Sequence, residues 1–195
     1  LRCNDELYLS KVRRYYKELL GRIRPHLAVN GGNIVMLQVE NEYGSYGNDK
    51  DYLPAVLDMY KEFDAECLFF TSDGPCYSML TGGTLPGECM SVANFGSKPE
   101  EQSAVMFEYF PDQPFMCGEY WNGWFDHWGT EHHRRPCEEI VSDFKTFMDN
   151  DWSINVYMFH GGTNFGFTNG ANHSGEEKNF MVIYQLCSDI TGGSV

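Results

Sequence analysis

Apolar positions recur along this chain in two alternating rhythms. Leu9, Val12, Tyr16, Leu19, Leu20 and Ile23 are spaced by threes and fours, which predicts an amphipathic helix over residues 5–26. Asn30-Gly31-Gly32 punctuates its end, and "NIVMLQV" (33–39) follows, short and almost wholly apolar. Such a run suits a parallel strand covered on both faces better than a one-sided antiparallel strand. The unit then repeats. A helix over 49–64 carries Tyr52, Val56, Tyr60 and Phe63 on one face, followed by the strand "CLFFTS" (67–72) and a "DGPC" turn. The strand "CMSVANF" (89–95) precedes Ser97-Lys98-Pro99-Glu100, which reads as a capping box opening a helix to about residue 109. "PFMCGEY" (114–120), a helix over 136–149 with Ile140, Phe144, Phe147 and Met148, and the strand "INVYMFH" (154–160) complete the pattern. Repeated βα units with covered strands predict a parallel α/β fold. Periodicity alone leaves an open doubly wound sheet and a closed (β/α)8 barrel both open. Five strands are visible, whereas a barrel has eight and typically about 250 residues. The stretch 180–195 has apolar character but no place in this repeat.

Composition narrows the partners. The 195 residues are 42% hydrophobic, enough for an ordinary core. The formal charge of −14 and pI near 4.7 oppose phosphate backbones and anionic lipid heads, so neither nucleic acid nor a membrane surface is expected as a partner. Neutral, hydroxyl-rich ligands are unaffected by that charge. No apolar stretch approaches the roughly 20 residues of a membrane span. The seven cysteines (Cys3, Cys67, Cys76, Cys89, Cys117, Cys137 and Cys187) are odd in number and form no CxxC pair. Several lie in apolar runs, which favours free thiols in a reducing compartment and hence the cytoplasm. The chain opens on Leu1, so the lack of a signal peptide weighs little.

Three predicted strands end in chemically loaded residues. Strand 33–39 runs into Glu40-Asn41-Glu42-Tyr43, strand 114–120 holds Glu119-Tyr120 and runs into Trp121-Asn122, and strand 154–160 contains Tyr157 and ends at His160-Gly161-Gly162. Parallel α/β folds place their ligands at the carboxyl ends of strands. A single loop carboxylate such as Glu42 is, taken alone, most simply a cap for local backbone. Glu119 is less easily explained so, because three tryptophans fall within the eight residues 121–128 beside it. Aromatic surroundings partly desolvate a carboxylate and favour its neutral form. Two carboxylates in differing environments are what glycoside hydrolysis requires, one to attack the anomeric carbon and one to protonate the leaving oxygen. The other candidates are weaker. Glu131-His132-His133 lacks a third ligand at a metal-site spacing and reads as a solvated loop. "HGGTNFG" lacks the Lys-Ser/Thr of a phosphate loop, and Asp126-His127 has no nucleophile elbow beside it. Asp73, after a strand, has two readings, lining a pocket or shaping a turn, and the turn is the simpler.

"GGNIVMLQVENEYGSYG" (31–47), "GEYWNGWFDHWG" (118–129) and "NVYMFHGGTNFGFTNGAN" (155–172) together resemble glycoside hydrolase family 35, in order and spacing, over about residues 5–173. The resemblance implies an incomplete (β/α)8 barrel covering strands four to eight, with residues 1–195 as part of the catalytic domain and a divergent tail over 174–195. It implies a retaining β-galactosidase acting on a β-galactoside, without metal or organic cofactor. Glu42 would be the acid/base at the end of the fourth strand, with Asn41 beside it on the sugar 2-hydroxyl. Glu119 would be the nucleophile on the seventh strand, with Tyr157 of the eighth near it. Trp121, where some relatives have a pocket tyrosine, would stack on the sugar. Retention implies carboxyl groups roughly 5–5.5 Å apart. The segment bearing the first three strands is expected upstream, and five strands of eight leave two open edges that could silence the chemistry. Two alternatives stay open, a non-catalytic carbohydrate-binding or pseudoenzyme fragment and a retaining barrel glycosidase of other sugar specificity.

Overall fold

The computed structural model describes residues 1–127, 131–159, 171–173 and 180–184. Five described strands with parallel partners alternate with helices, an α/β fold of the (β/α)8 type of which the described residues show fewer than the eight barrel strands. Two compact units are formed, one from Leu1–Asn94 with Ala104–Phe115 and one from Phe95–Ser103 with Met116 onward.

In the first unit, helix α1 (Glu6–Ile23) starts at Asp5, whose carboxylate accepts the Tyr8 N–H at 2.8 Å. It stops three residues earlier than its periodicity suggests, because Pro25 falls within a tighter turn over Arg24–His26. Strand β1 (Met36–Gln38) is shorter than the apolar run that announces it: Val35 is 64% exposed, and the strand itself is only partly buried. Among the described residues its one strand partner is β2 (Leu68–Asp73), with Gln38 opposite Phe70. The expectation of a strand covered on both faces fails here and holds for β3 (Met90–Phe95), where every residue after Met90 is buried. β2 and β3 are parallel, Asp73 pairing with Ala93. Helices α2 (Tyr43–Tyr46), α3 (Tyr52–Glu62) and α4 (Tyr77–Gly83) connect them. Leu20, Leu27, Val39, Tyr43, Tyr52, Leu53, Val56, Leu57 and Tyr60 form the core. Burying each large apolar side chain contributes about 1.5–3 kcal/mol. The Tyr60 hydroxyl also donates to the Gln38 carbonyl at 2.9 Å, tying α3 to the end of β1.

Helix α5 (Pro99–Tyr109) begins one residue later than the capping box requires. The Lys98 carbonyl accepts the Gln102 N–H at 3.1 Å, so Lys98, at φ 58°, holds the cap position in place of Ser97, and Pro99 supplies a first helical residue that has no N–H to satisfy.

In the second unit, β4 (Met116–Tyr120) pairs in parallel with β6 (Ser153–Val156), Met116 opposite Ser153, with a shift in register between Cys117 and Tyr120. Helix α6 (Cys137–Asp149) follows Pro136, carries Glu138 and Glu139 in its first turn, where the helix dipole favours negative charge, and buries Ile140 and Phe147. Phe147 stacks on Phe95 at 6.1 Å and meets Tyr120 edge-on at 5.8 Å. Three short strands, β5 (Asp126–His127), β7 (Ala171–His173) and β8 (Phe180–Tyr184), form an antiparallel set with β8 in the middle. The apolar stretch left without a place by the sequence pattern therefore contains a strand. Its short neighbours carry no periodic signal.

Candidate functional site

The chain leaves β1 through a turn in which Glu40 (φ 64°) and Glu42 (φ 50°) are both left-handed. Each such residue costs on the order of 1–3 kcal/mol and persists only where surrounding contacts fix it. Those contacts are present. Arg2 forks onto Glu40, Nε to Oε1 and Nη2 to Oε2, both at 2.8 Å, and Nη2 also reaches the Asn41 carbonyl at 2.6 Å. The Arg2 guanidinium lies over the Tyr46 ring, 4.4 Å from its centre. The Tyr52 hydroxyl donates to Glu40 Oε1 at 3.1 Å, and burial together with the neighbouring Tyr8 and Glu40 holds that hydroxyl protonated far above its ordinary range. The Gln38 amide donates to the Glu40 carbonyl and to Asn41 Oδ1, each at 2.9 Å. Glu40 is thus consumed by structure. Asn41 is exposed, and with Arg2, Tyr8, Lys11, Gln38, Glu40 and Tyr52 it lines an open cleft of about 830 Å³.

Glu42 is half-buried and differently held. Its N–H donates to the Ser72 carbonyl at 2.9 Å, and its Oε1 accepts the Asn94 amide at 3.1 Å. Asn94 is fixed in turn by the Ser72 hydroxyl, which donates to Asn94 Oδ1 at 2.5 Å. Both Ser72 and Asn94 are 1% exposed. Asp73, the last residue of β2, is equally buried and accepts the Gly44 N–H at 2.8 Å. Burial, aided by the negative charges of Glu42 and Glu40 and opposed by the Gly44 N–H and Arg2, pushes its carboxyl up to about 7. Asp73 therefore does more than shape a turn: it packs against Gly83, where an added Cβ would come within 2.1 Å of the carboxylate. Gly44 is equally constrained, since a Cβ there would lie 1.9 Å from the Met79 carbonyl oxygen.

In the second unit β4 buries Cys117 and Tyr120 completely and leaves Glu119, next to Tyr120, partly accessible. Glu119 is half-buried, and the Trp121 indole N–H donates to its Oε2 at 3.1 Å. Trp121 is anchored by its own N–H on the Phe95 carbonyl at 3.0 Å, and its ring meets Trp124 edge-on at 5.4 Å. Trp124 stacks on Phe125 at 4.8 Å, so an aromatic wall adjoins the carboxylate. Tyr157 is brought to the end of β4 by its N–H, which donates to the Tyr120 carbonyl at 3.0 Å, and its side chain is 47% exposed. The neighbouring Cys117 is pushed up to about 12 by burial and stays a thiol. Beneath the strand end, Tyr120 donates to Asp143 at 2.6 Å while Arg135 donates to both, at 2.7 and 2.6 Å.

The structure thus gathers Glu42 and Asn41 in one unit and Glu119, Trp121 and Tyr157 in the other, each group at the carboxyl end of parallel strands. His160 and the Gly-rich stretch after it lie outside the described residues. Among the described residues no three His, Cys, Asp or Glu side chains stand together as a metal site, and no helix is long and apolar enough to cross a membrane. Six described cysteines are free thiols. Sequence reasoning missed Ser72, Asn94 and Arg2, and undervalued Asp73. The first two and Asp73 share the signal that exposed Glu42, a polar residue where an apolar strand ends. Arg2 carried no such signal.

The family model described as Glycosyl hydrolases family 35 matches residues 1–188. A protein of Xanthomonas manihotis named Beta-galactosidase is 44% identical over 176 residues, 88% of this chain and 29% of its own length. Beta-galactosidase 1 of Dictyostelium discoideum is 38% identical over 95% of this chain and 29% of its own. The human Beta-galactosidase-1-like protein 3 is 34% identical over 98% and 29% respectively. The chain therefore spans about 29% of the length of these curated relatives.

Proposed function

Since the chain belongs to glycosyl hydrolase family 35, we propose that residues 1–195 form part of the catalytic domain of a retaining glycoside hydrolase that removes terminal β-D-galactosyl residues. The observation carrying this reading is the pair of half-buried carboxylates, Glu42 after β1 and Glu119 on β4, each at the carboxyl end of a parallel strand and each accepting a hydrogen bond from a side chain that fixes its orientation.

In this reading Glu119 attacks the anomeric carbon as the Glu42 proton passes to the glycosidic oxygen, so the aglycone leaves as a neutral alcohol and the sugar becomes an ester of Glu119. Glu42, now a carboxylate, takes a proton from water as that water displaces Glu119. Two inversions retain configuration. The Trp121 indole N–H stabilises Glu119 as an anion, the form that attacks. Exposed Asn41 meets a sugar hydroxyl, Trp121 faces the apolar side of the ring, and Tyr157 borders the nucleophile. Proton and nucleophile both come from side chains, so the scheme calls for no metal or organic cofactor. The partner is a neutral β-galactoside, in keeping with a charge of −14 that disfavours nucleic acid and anionic membranes.

Incubating the 195-residue chain with an activated 2-deoxy-2-fluoro-β-galactoside tests the assignment. A covalent adduct mapping to Glu119, absent from Glu119→Gln, is expected. Binding without an adduct would replace the enzyme by a sugar-binding module, and preference for an aryl glucoside or mannoside would overturn the galactosidase reading.

A further inference from the structure

We infer that Asn94, locked by Ser72, is a positioning residue that sets the protonation and orientation of the Glu42 carboxyl; the catalytic sense of this rests on the reading of Glu42 as acid/base. A carboxylate only accepts hydrogen bonds, so the Asn94 atom 3.1 Å from Glu42 Oε1 is the amide nitrogen. Asn94 Oδ1 then faces the Ser72 hydroxyl at 2.5 Å, and the hydroxyl must donate, since Oδ1 has no proton. The amide cannot flip without setting an oxygen against Glu42 and an N–H₂ against an occupied donor. The chain of donors runs one way, from Ser72 to Asn94 to Glu42.

Two consequences follow. First, the donated N–H occupies Oε1, so when Glu42 is protonated its proton sits on Oε2, the oxygen left for a leaving group. Second, a hydrogen bond donated to a carboxylate favours its ionised form, so loss of the donor is felt at Glu42, whose neighbours are the buried Asp73 carboxyl of β2 and Glu40 of the same turn, with Arg2 as the nearby cation on Glu40. Ser72 also holds residue 42 through its backbone, its carbonyl accepting the Glu42 N–H at 2.9 Å. One residue therefore fixes both the main chain and, through Asn94, the side chain of the candidate acid, while Ser72 and Asn94 are themselves buried.

The test follows the carbon resonance of the Glu42 carboxyl in chain labelled at glutamate, assigned by its loss in Glu42→Gln, across pH. Removing the donor in Asn94→Ala should raise the midpoint relative to the unaltered chain by about one pH unit, roughly tenfold in the proton-binding constant. Asn94→Asp, nearly isosteric and newly negative, should raise it further. Ser72→Ala should raise it by less than Asn94→Ala, and Ser72→Thr, which keeps the hydroxyl, should restore it. A dispersed amide spectrum shared by the variants verifies folding. Equal midpoints in the folded variants would overturn the proposal. This readout needs no turnover: a shifted midpoint in a chain that hydrolyses nothing supports Asn94 as positioning residue while removing the acid role of Glu42. A basic limb of kcat/KM for an aryl galactoside that moves with the midpoint supports both.

Discussion

Asp73 offers a measurable link between the strand-end cluster and stability. Its carboxyl is 1% exposed and lies at about 7, against 3.8 when solvated. Because the folded value is raised, the native state holds a proton that the unfolded chain has lost between these two limits. Stability from this group is fully present below about pH 4 and is lost as pH rises through 7, with a slope of about −1.4 kcal/mol per pH unit between. A gap of about three units gives about 4 kcal/mol in all, an upper figure because partial relaxation of a buried charge lowers it. Asp73→Asn removes the titration and keeps an oxygen for the Gly44 N–H. Urea unfolding of both proteins, followed by tryptophan fluorescence from pH 4 to pH 8, isolates the effect as a difference in unfolding free energy. That difference should change by about 3–4 kcal/mol in favour of the variant as pH rises. A difference independent of pH, or one that shifts toward the wild-type chain as pH rises, would refute the assignment of Asp73 as a buried acid held neutral by its surroundings.

Other perturbations separate the contacts. Arg2→Ala strips the nearly buried Glu40 carboxylate of its bidentate partner and should lower unfolding free energy in urea by about 2 kcal/mol. Gly44→Ala forces a Cβ against the Met79 carbonyl and should destabilise by about 1–3 kcal/mol in the same measurement, with the amide signals of α4 shifting. Tyr120→Phe keeps the ring but removes the hydroxyl between Arg135 and Asp143, at a cost of about 1–2 kcal/mol seen in thermal unfolding. In a form of the protein that turns over an aryl galactoside bearing a poor leaving group, Glu42→Gln should lower kcat/KM about 10²–10⁴-fold, whereas Glu40→Gln, already committed to Arg2 and Tyr52, should lower it much less.

Long periodic elements were legible because their pattern is their packing. Val56 and Tyr60 face the core from α3, and Ile140 and Phe147 from α6, as their spacing requires. Helices α2 and α4, of four and seven residues, are too short to show a period. An apolar run announced β1, but it could not reveal that Val35 faces solvent while Val39 is buried. At the site, Glu42, Asn41 and Glu119 were visible as polar residues that break apolar strands. The Arg2–Glu40 pair spans 38 residues of sequence and the Asn94–Glu42 bond 52, and no local pattern encodes such distances. Only the pairing of strands does.

That pairing explains why the polar strand ends of the first unit become one cluster. Parallel strands in near-register align their carboxyl ends. Gln38 opposite Phe70 sets Glu40 and Ser72 at the same level, and Asp73 opposite Ala93 sets Asn94 just beyond. Residues that in isolation look like three separate loop starts are therefore neighbours by topology. The strained φ values of Glu40 and Glu42 then place two nearby carboxylates in different environments, one closed off by Arg2 and Tyr52, the other held, among the described residues, by the Asn94 amide on Oε1 alone. The backbone strain is tolerable because α3 fastens the turn from beneath, through Tyr60 on Gln38 and Tyr52 on Glu40, and α3 is itself the most deeply buried helix of the unit. Loosening α3 should therefore disturb the carboxylates before it unfolds the chain, and the geometry of Glu42 is as much a product of the core at Val56 and Leu57 as of the turn that carries it.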